Sequence, residues 1–580
     1  MNSRKIKLVD FQSNVAPSAS FLYILETDMK ARHSENSTEK TEKKRDELRV
    51  RRELLTMEPN GSVSPPKDRP RPRWSRCSSS GLRYGSFVNS LSSLAAAEEV
   101  VHKSPISPRR SYIAVAVLCY VNLINYMERY TIAGVLINIQ KFFDISDSVA
   151  ALLQTVFICS FLLLAPLFGY LGDRYNRKYI MIAGLSIWLV TAASSSFVSK
   201  WQFWLLMLLR GMVGVGEASY STIAPTIIGD LFSGAKRSAM ICLFYIFIPV
   251  GSGLGYITGA GVANVAGDWR WSLRITPILG AGGLILLTLL CPNPPRGAAE
   301  TQGEGVAMQS SYREDVKYLL KNKSYVWSTL GVTATAFLVG ALGFWTPAFL
   351  SRAQVFQGLQ KPCEKEPCNP IDSYIFGAVT VVTGILGGCL GTVLSRWFSK
   401  KRSNADPLIC AVGLLGSAPC LFIAIFVATA SIPTTYVFIF LGEVLISLNW
   451  AVMADILLYV VIPTRRATAE ALQISVCHLL GDAGSPYLVG LISDAIRKQQ
   501  PDTHGWNFQS LKYSLLVCVF VGALGGLFFL LCALFIADDR KATQRLVEGD
   551  PPPQPGPAAP QPSEPSEPSE PPLELSNREK

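Results

Sequence analysis

From residue 111 onward the chain alternates apolar runs with short polar connections, and each run is about 20 residues, enough to cross a bilayer as a helix. About twelve such runs can be placed by length. Their centres lie near Leu123, Phe161, Ile187, Val215, Gly251 and Leu284, then near Ala336, Gly384, Phe422, Leu448, Gly481 and Leu524. A polar connection, "NPPRGAAETQGEGVAMQSSYREDVKYLLKNK", divides six from six. The pattern predicts an all-α membrane protein with an N-terminal six-helix bundle over residues 111–291 and a C-terminal one over 323–538. Residues 292–322 then form a cytosolic linker. Residues 1–110 are basic and rich in Ser and Pro, and read as a disordered tail with a short helix across "TEKKRDELRVRRELL". Residues 539–580 are low-complexity, Pro-rich chain, expected to be extended.

Composition agrees with a membrane solvent. Of the 580 residues, 49% are hydrophobic and 17% charged, against about 25% charged in a soluble domain. The net charge of +11 does not point to nucleic acid, because the cations are concentrated in the N-terminal tail and in alternate loops. Arg174, Arg177 and Lys178 follow span two, and Lys236 and Arg237 follow span four. Arg313, Lys317, Lys321 and Lys323 lie in the linker. Arg396, Lys400, Lys401 and Arg402 follow span eight, and Arg465 and Arg466 follow span ten. Basic loops stay on the cytosolic side, so these loops and both termini are expected there. The loop after span seven, with Cys363 and Cys368, then faces outside or a lumen, where a disulfide and a pair of free thiols both fit. Most of the thirteen cysteines lie in apolar spans as small hydrophobes, and no Cys/His set has zinc spacing. No metal or cofactor is expected.

Charge inside the spans is the chemical anomaly. An ionised side chain at the centre of a membrane helix costs about 2.5–3.5 kcal/mol on an insertion scale. In span one, Asn122, Asn125 and Glu128 share a stripe at helical spacing, with Arg129 beside it; in span four, Arg210, Gly214, Glu217 and Ser221 do the same. Glu443 lies in span ten, with Ser447 and Trp450 on its face. Span eleven carries Ser475, His478, Asp482 and Ser485, and His478 is one turn from Asp482. Two readings compete. The charges are ion pairs that fasten helices, or they form a proton-coupled switch in which low dielectric favours the neutral acid and a nearby Arg the carboxylate. Arg210 could simply hold Glu217. Histidine titrates near neutrality, which suits an acidic compartment.

Two enzyme-like patterns fail on context. "GSGLGYITG" has no strand–turn–helix unit around it, and its four-residue glycine spacing at Gly251, Gly255 and Gly259 reads as a smooth helix face. The His478–Asp482 spacing differs from the acyltransferase H-x4-D motif, and no nucleophile is evident, so the chain is not read as an enzyme.

The halves echo each other. "GYLGDRYNRK" after span two matches "GTVLSRWFSKK" after span eight in spacing and place, and such internal repeats put a binding site between two bundles. The first of these resembles the loop signature of the major facilitator superfamily, with Asn176 where that pattern has Gly. Within it, "NYMERYTIAGV", "RGMVGVGEASYSTIAPTIIGDLF", "PVGSGLGYITG" and "HLLGDAGSPYLVGLISD" resemble the Spinster family over about residues 111–538. That family usually has Asp where this chain has Glu128. The resemblance implies an exporter of lysolipids, of the sphingosine-1-phosphate or lysophospholipid class, in which the acidic intramembrane positions take part in coupling.

The resulting expectation is a secondary active transporter of an amphipathic lipid, proton-coupled or proton-regulated, working by alternating access as a single chain. It would sit in the plasma membrane or in an endosomal or lysosomal membrane. Glu128, Arg129, Arg210, Glu217, Glu443, His478 and Asp482 are the candidates for coupling and substrate; Asn122, Asn125 and Ser221 would line the cavity. Arg129 and Arg352 are the candidates for gripping a headgroup phosphate, which Arg can do bidentately; snorkelling to the interface is the alternative for Arg352. Gly169, Asp173, Arg174, Arg177 and Lys178 would latch the cytosolic gate against the other bundle, or serve orientation alone. A transporter of a small organic solute, and a non-transporting scaffold acting through its tails, are the alternatives.

Overall fold

The structure is a computed structural model that describes residues 106–295, 312–363, 368–462, 465–501 and 503–548. The expectations for residues 1–105, for most of the linker and for 549–580 lie outside the described residues. Among the described residues there are helices and turns and no strand.

The first half comprises α1 (Pro108–Gly134), its short continuation α2 (Leu136–Phe143), α3 (Asp147–Arg174), α4 (Arg177–Ser195), α5 (Phe203–Leu231), α6 (Gly234–Ala266) and α7 (Ser272–Leu290). The linker contributes α8 (Tyr312–Lys321). The second half comprises α9 (Lys323–Phe356), α10 (Ile371–Phe398) and α11 (Ala405–Val427), then α12 (Ile432–Ser447) with α13 (Asn449–Val460). Next come α14 (Arg466–Cys477) and α15 (Ser485–Arg497), joined through a π turn at His478–Asp482, and finally α16 (His504–Ser514) and α17 (Leu516–Glu548). Eleven of the twelve predicted centres fall in these elements, and the twelfth, Leu448, is the single residue between α12 and α13. Ten helices among the described residues are long and apolar enough to cross a membrane. The two predicted spans not among them are α5 and the 466–497 segment, which carry Arg210 and Glu217, and His478 and Asp482, in their middles.

The element ends differ from the expected boundaries for local reasons. α1 starts at Pro108, whose missing N–H and fixed φ suit a first turn. α17 runs past residue 538 to Glu548, because its extension is tied down. Asp539 accepts from the Ser324 N–H at 2.8 Å, and the Thr543 hydroxyl donates to the Val460 carbonyl at 2.9 Å. Residues 539–548 therefore do not belong to an extended tail.

Three apolar cores organise the molecule. One fills the N-terminal bundle around Leu118, Phe157, Trp188 and Ile227. Another fills the C-terminal bundle around Leu414, Val452 and Phe529. The third joins both bundles and includes Ile132, Leu136 and Trp269 from one with Phe344, Trp345, Phe349 and Phe508 from the other. The bundles are thus closed on each other at the end opposite the basic loops. Gly251, Gly255 and Gly259 form the smooth face that their spacing predicts, and it packs on the α1 backbone at Leu123, Met127 and Thr131. The seam between bundles uses the other side of α6, where Gly253 meets Gly377 of α10.

Candidate functional site

The intramembrane charges meet, but with different partners from those expected. Glu128 and Arg129 are consecutive, so on a helix they point about 100° apart. Glu128 turns into its own bundle and accepts from Arg210 Nη1 at 2.5 Å, so Arg210 holds Glu128 rather than Glu217. Arg129 turns to the seam, where its Nη2 lies 2.9 Å from Asp482 Oδ2 and its Nη1 lies 3.9 Å from Glu217 Oε1. All five charged side chains are buried. The Phe157 ring lies 5.4 Å from the Arg129 guanidinium and 5.2 Å from that of Arg210, adding cation–π attraction in low dielectric. Charge is tolerated here because every member has an opposite partner.

Asp482 reaches Arg129 because its helix is deformed. The segment His478–Asp482 is a π turn, a local widening that recurs at functional sites. His478 Nδ1 lies 2.9 Å from Asp482 Oδ1 and 3.1 Å from Oδ2, so the histidine straddles the carboxylate and shares Oδ2 with the arginine across the seam. Glycines let the turn sit close to α9. A Cβ on Gly340 would lie 2.6 Å from the Asp482 Cα, and one on Gly481 would lie 2.8 Å from the Ala336 Cβ. The expected His478–Asp482 contact is present; the π geometry was not expected.

A second set of polar contacts joins the bundles at the end opposite the basic loops. Asp147, in the first turn of α3, takes a bidentate pair of bonds from Arg352 of α9, at 2.5 and 2.9 Å. It also accepts from Ser493 at 2.8 Å and from Gln140 at 2.8 Å. Asp494 of α15 accepts from the N–H groups of Asp147 and Ser148, at 3.1 and 2.9 Å, and so caps α3 from the other bundle. Arg352 is neither snorkelling nor free for a headgroup, since its guanidinium is spent on this lock. Sequence reasoning missed Asp147, Ser493 and Asp494; an acidic first turn reads as ordinary helix capping until the partner helix is known.

The remaining candidates sit as follows. Asn122 donates to the Phe244 carbonyl at 3.0 Å and is buried between α1 and α6, and Asn125 is buried inside the same bundle; neither lines an open cavity. Ser221 is half-buried on α5. Glu443 lies apart from the charged cluster and accepts from Thr383 of α10 at 2.8 Å. In the loop after α3, Arg177 pairs with Asp230 at the end of α5. Asp173 and Arg174 are exposed, Arg174 lies 4.3 Å from the Tyr170 ring, Gly169 is half-buried in the α3 backbone, and Lys178 is half-buried. The Arg177–Asp230 pair and the Arg174–Tyr170 contact both lie within the N-terminal bundle, and neither is the expected latch to the other one. Cys363 and Cys368 are joined as a disulfide.

α3 runs from the cluster to the basic-loop end. Thr155 donates to the Ala483 carbonyl at 2.7 Å, and Phe161, farther round the helix, packs edge-on to His478. Farther along, Leu163 (77% exposed), Leu167 and Tyr170 form an uncovered apolar stripe at helical spacing, turned well away from Phe161. Leu479 and Leu480, in the π turn, are exposed as well.

A model of the Major Facilitator Superfamily matches residues 118–469. Protein spinster homolog 3 of Danio rerio is 64% identical over 484 residues, covering 83% of this chain and 97% of that protein. Human protein spinster homolog 1 is 55% identical over 446 residues, covering 77% and 84%. Among solved structures, a bacterial homologue of the human lysosomal transporter Spinster, inward-facing and unoccupied, aligns with a TM-score of 0.65. It is 21% identical and covers 75% of this chain and 99% of that one. A D-xylose–proton symporter aligns with a TM-score of 0.55 at 17% identity, which speaks for the fold alone. The chain belongs to the Spinster family of the major facilitator superfamily: it is a multi-pass membrane transporter, not an enzyme.

Proposed function

We propose that this transporter moves an amphipathic, phosphate-bearing lipid of the lysophospholipid or sphingosine-1-phosphate class by alternating access, with proton movement coupled at Asp482. The observation that carries this is Arg129, held between Asp482 of the other bundle at 2.9 Å and Glu217 of its own at 3.9 Å. A headgroup phosphate competes with Asp482 for the same guanidinium, which binds either bidentately. Protonating Asp482 cancels its charge and releases Arg129 to the headgroup; His478, within hydrogen-bond distance of both carboxylate oxygens, is the proton's second station. The exposed apolar face of α3 offers the acyl chain a path that a polar solute would not need.

With the basic loops and both termini in the cytosol, the closed end faces outside or a lumen and the conformation is inward-facing. Glu217 and Glu443 are further coupling candidates, and a single chain contains every residue the cycle uses. The bacterial structure is described as a homologue of a lysosomal transporter, which favours a lysosomal or endosomal membrane over the plasma membrane. The test is flux of labelled lysophosphatidylcholine and sphingosine-1-phosphate in proteoliposomes with an imposed pH gradient, wild type against Asp482→Asn. The reading expects lipid flux that responds to the gradient in the wild type only. Flux of a small polar solute without either lipid would replace it with the small-solute alternative, and no flux of any kind would favour the scaffold.

A further inference from the structure

The linker helix α8 (Tyr312–Lys321) is built as a headgroup reader. Its inner side is fixed: Leu319 is fully buried in the C-terminal core, and Asp315 pairs with Arg465 at 2.8 Å. Arg465 also lies 4.6 Å from the Tyr318 ring. Asn322, the single residue between α8 and α9, caps α9 at the Tyr325 N–H and donates to the Val460 carbonyl at 2.8 Å. Because α9 is a membrane span, this elbow holds α8 at the membrane surface and sets its rotation.

The side left uncovered is two-toned. Tyr312, Val316 and Leu320 recur every four residues, with Tyr312 67% and Leu320 64% exposed. Arg313, Lys317 and Lys321, each one position later, form a parallel exposed stripe of three cations. The two stripes together line a shallow surface groove. Glu314 is the one acidic side chain on the exposed side, and it lies beyond the cations, away from the apolar stripe. An apolar strip flanked by cations at a membrane surface is the pattern that inserts at the acyl boundary and collects anionic headgroups.

We infer that α8 docks on anionic phospholipid headgroups of the leaflet at the basic-loop end, with Tyr312, Val316 and Leu320 in the acyl boundary and Arg313, Lys317 and Lys321 on the phosphates. The occupant is the lipid surface, since the cations stand beside the apolar strip rather than across the helix from it. The cytosolic orientation decides only which leaflet is meant.

The test uses the full-length protein in lipid discs of phosphatidylcholine alone or with phosphatidylserine. Discs present the same lipid on both faces, so the result is independent of orientation and of cargo. Amide exchange over 312–321 and retained lipid by native mass spectrometry are read in parallel. Anionic discs are expected to protect 312–321 and retain phosphatidylserine. Neutralising Arg313, Lys317 and Lys321 to Gln should remove both effects, at about fivefold weaker retention per cation. Glu314→Gln is expected to retain at least as much lipid as the wild type. Exchange across α9 and α11 reports that each variant is folded. Equal protection in both kinds of disc overturns the inference. So does protection already present in detergent, which would mean the chain covers the strip itself, and so does equal protection by soluble glycerophosphoserine.

Discussion

Arg129 of α1 and Asp482 of the π turn form an ion pair across the two bundles at 2.9 Å, while the neighbouring Glu128 pairs with Arg210 inside one bundle. Two adjacent charges therefore belong to different mechanical units. The Glu128–Arg210 pair moves with the N-terminal bundle as a body. The Arg129–Asp482 pair must break or re-form whenever the bundles part, so it is the pair that senses the cycle.

Removing Asp482 should accordingly affect transport before it affects folding. Asp482→Asn keeps a polar group for His478 and leaves Arg129 with Glu217 as its remaining carboxylate. Transport is expected to fall by at least tenfold. The double change Arg129→Gln with Asp482→Asn is expected to be no worse than either alone, a departure from additivity of about 0.5–3 kcal/mol. Flux in proteoliposomes for the four proteins closes the cycle; strictly additive losses would show that the two residues act apart.

Glu128 should show the opposite signature. Both partners of its pair are buried within one bundle, and removing one leaves a buried uncompensated charge, a loss of about 3–5 kcal/mol. Glu128→Gln is expected to lower thermal stability in detergent sharply. Glu128→Leu combined with Arg210→Met should recover most of it, because apolar replacement of a whole buried pair is often neutral. Melting curves of the purified variants decide this. Were Glu128→Gln as stable as wild type yet inactive, Glu128 would belong to the coupling machinery instead.

The sequence shows the bundles, the basic loops and the residues of the charged cluster, because intramembrane charge is rare enough to stand out by composition alone. It does not show partners. At helical spacing Arg210 and Glu217 share a stripe, yet Arg210 is satisfied from α1, and that depends on how far α1 and α5 are rotated about their axes. The π turn is equally hidden: His478 and Asp482 read as one α-helical turn, and the close approach of α9 at Gly340, where the turn packs, lies far away in sequence. Arg352 looked like an interfacial cation because nothing in its own span reveals Asp147, which is far away in sequence and adjacent in space.

The α6–α10 seam should be intolerant of bulk. A Cβ on either Gly253 or Gly377 would collide with the backbone carbonyl of the other, and no rotamer relieves a clash with backbone. Gly253→Val is expected to reduce transport severely while leaving membrane insertion intact. Gly388→Val, on the same helix α10 but with open space around its Cβ, is expected to be nearly silent. Surface expression and flux of the two variants separate the cases; equal tolerance of both would mean that the seam relaxes freely.

The lock at Asp147 should control which conformation is populated. Arg352 contributes a bidentate pair to Asp147 and a 3.2 Å bond to Gln140, all across the seam, and Asp494 caps α3 from the other bundle as well. Arg352→Gln removes the two charge-assisted bonds but keeps the Asp494 cap. The closed end is therefore weakened rather than abolished, and a loss of about 1.4 kcal/mol would already open it tenfold more often. A cysteine placed at Ser148, beneath the Asp494 carboxylate, reports this opening through its reaction with an impermeant thiol reagent. Ser148→Cys is expected to react slowly in the otherwise wild-type protein and about tenfold faster with Arg352→Gln added. Asp494→Asn, which loses the charge on the cap and spares Arg352, is expected to give a smaller increase. Unchanged reactivity in the Arg352 variant would show that the shared apolar core around Trp345 and Phe349 holds this end shut without the lock.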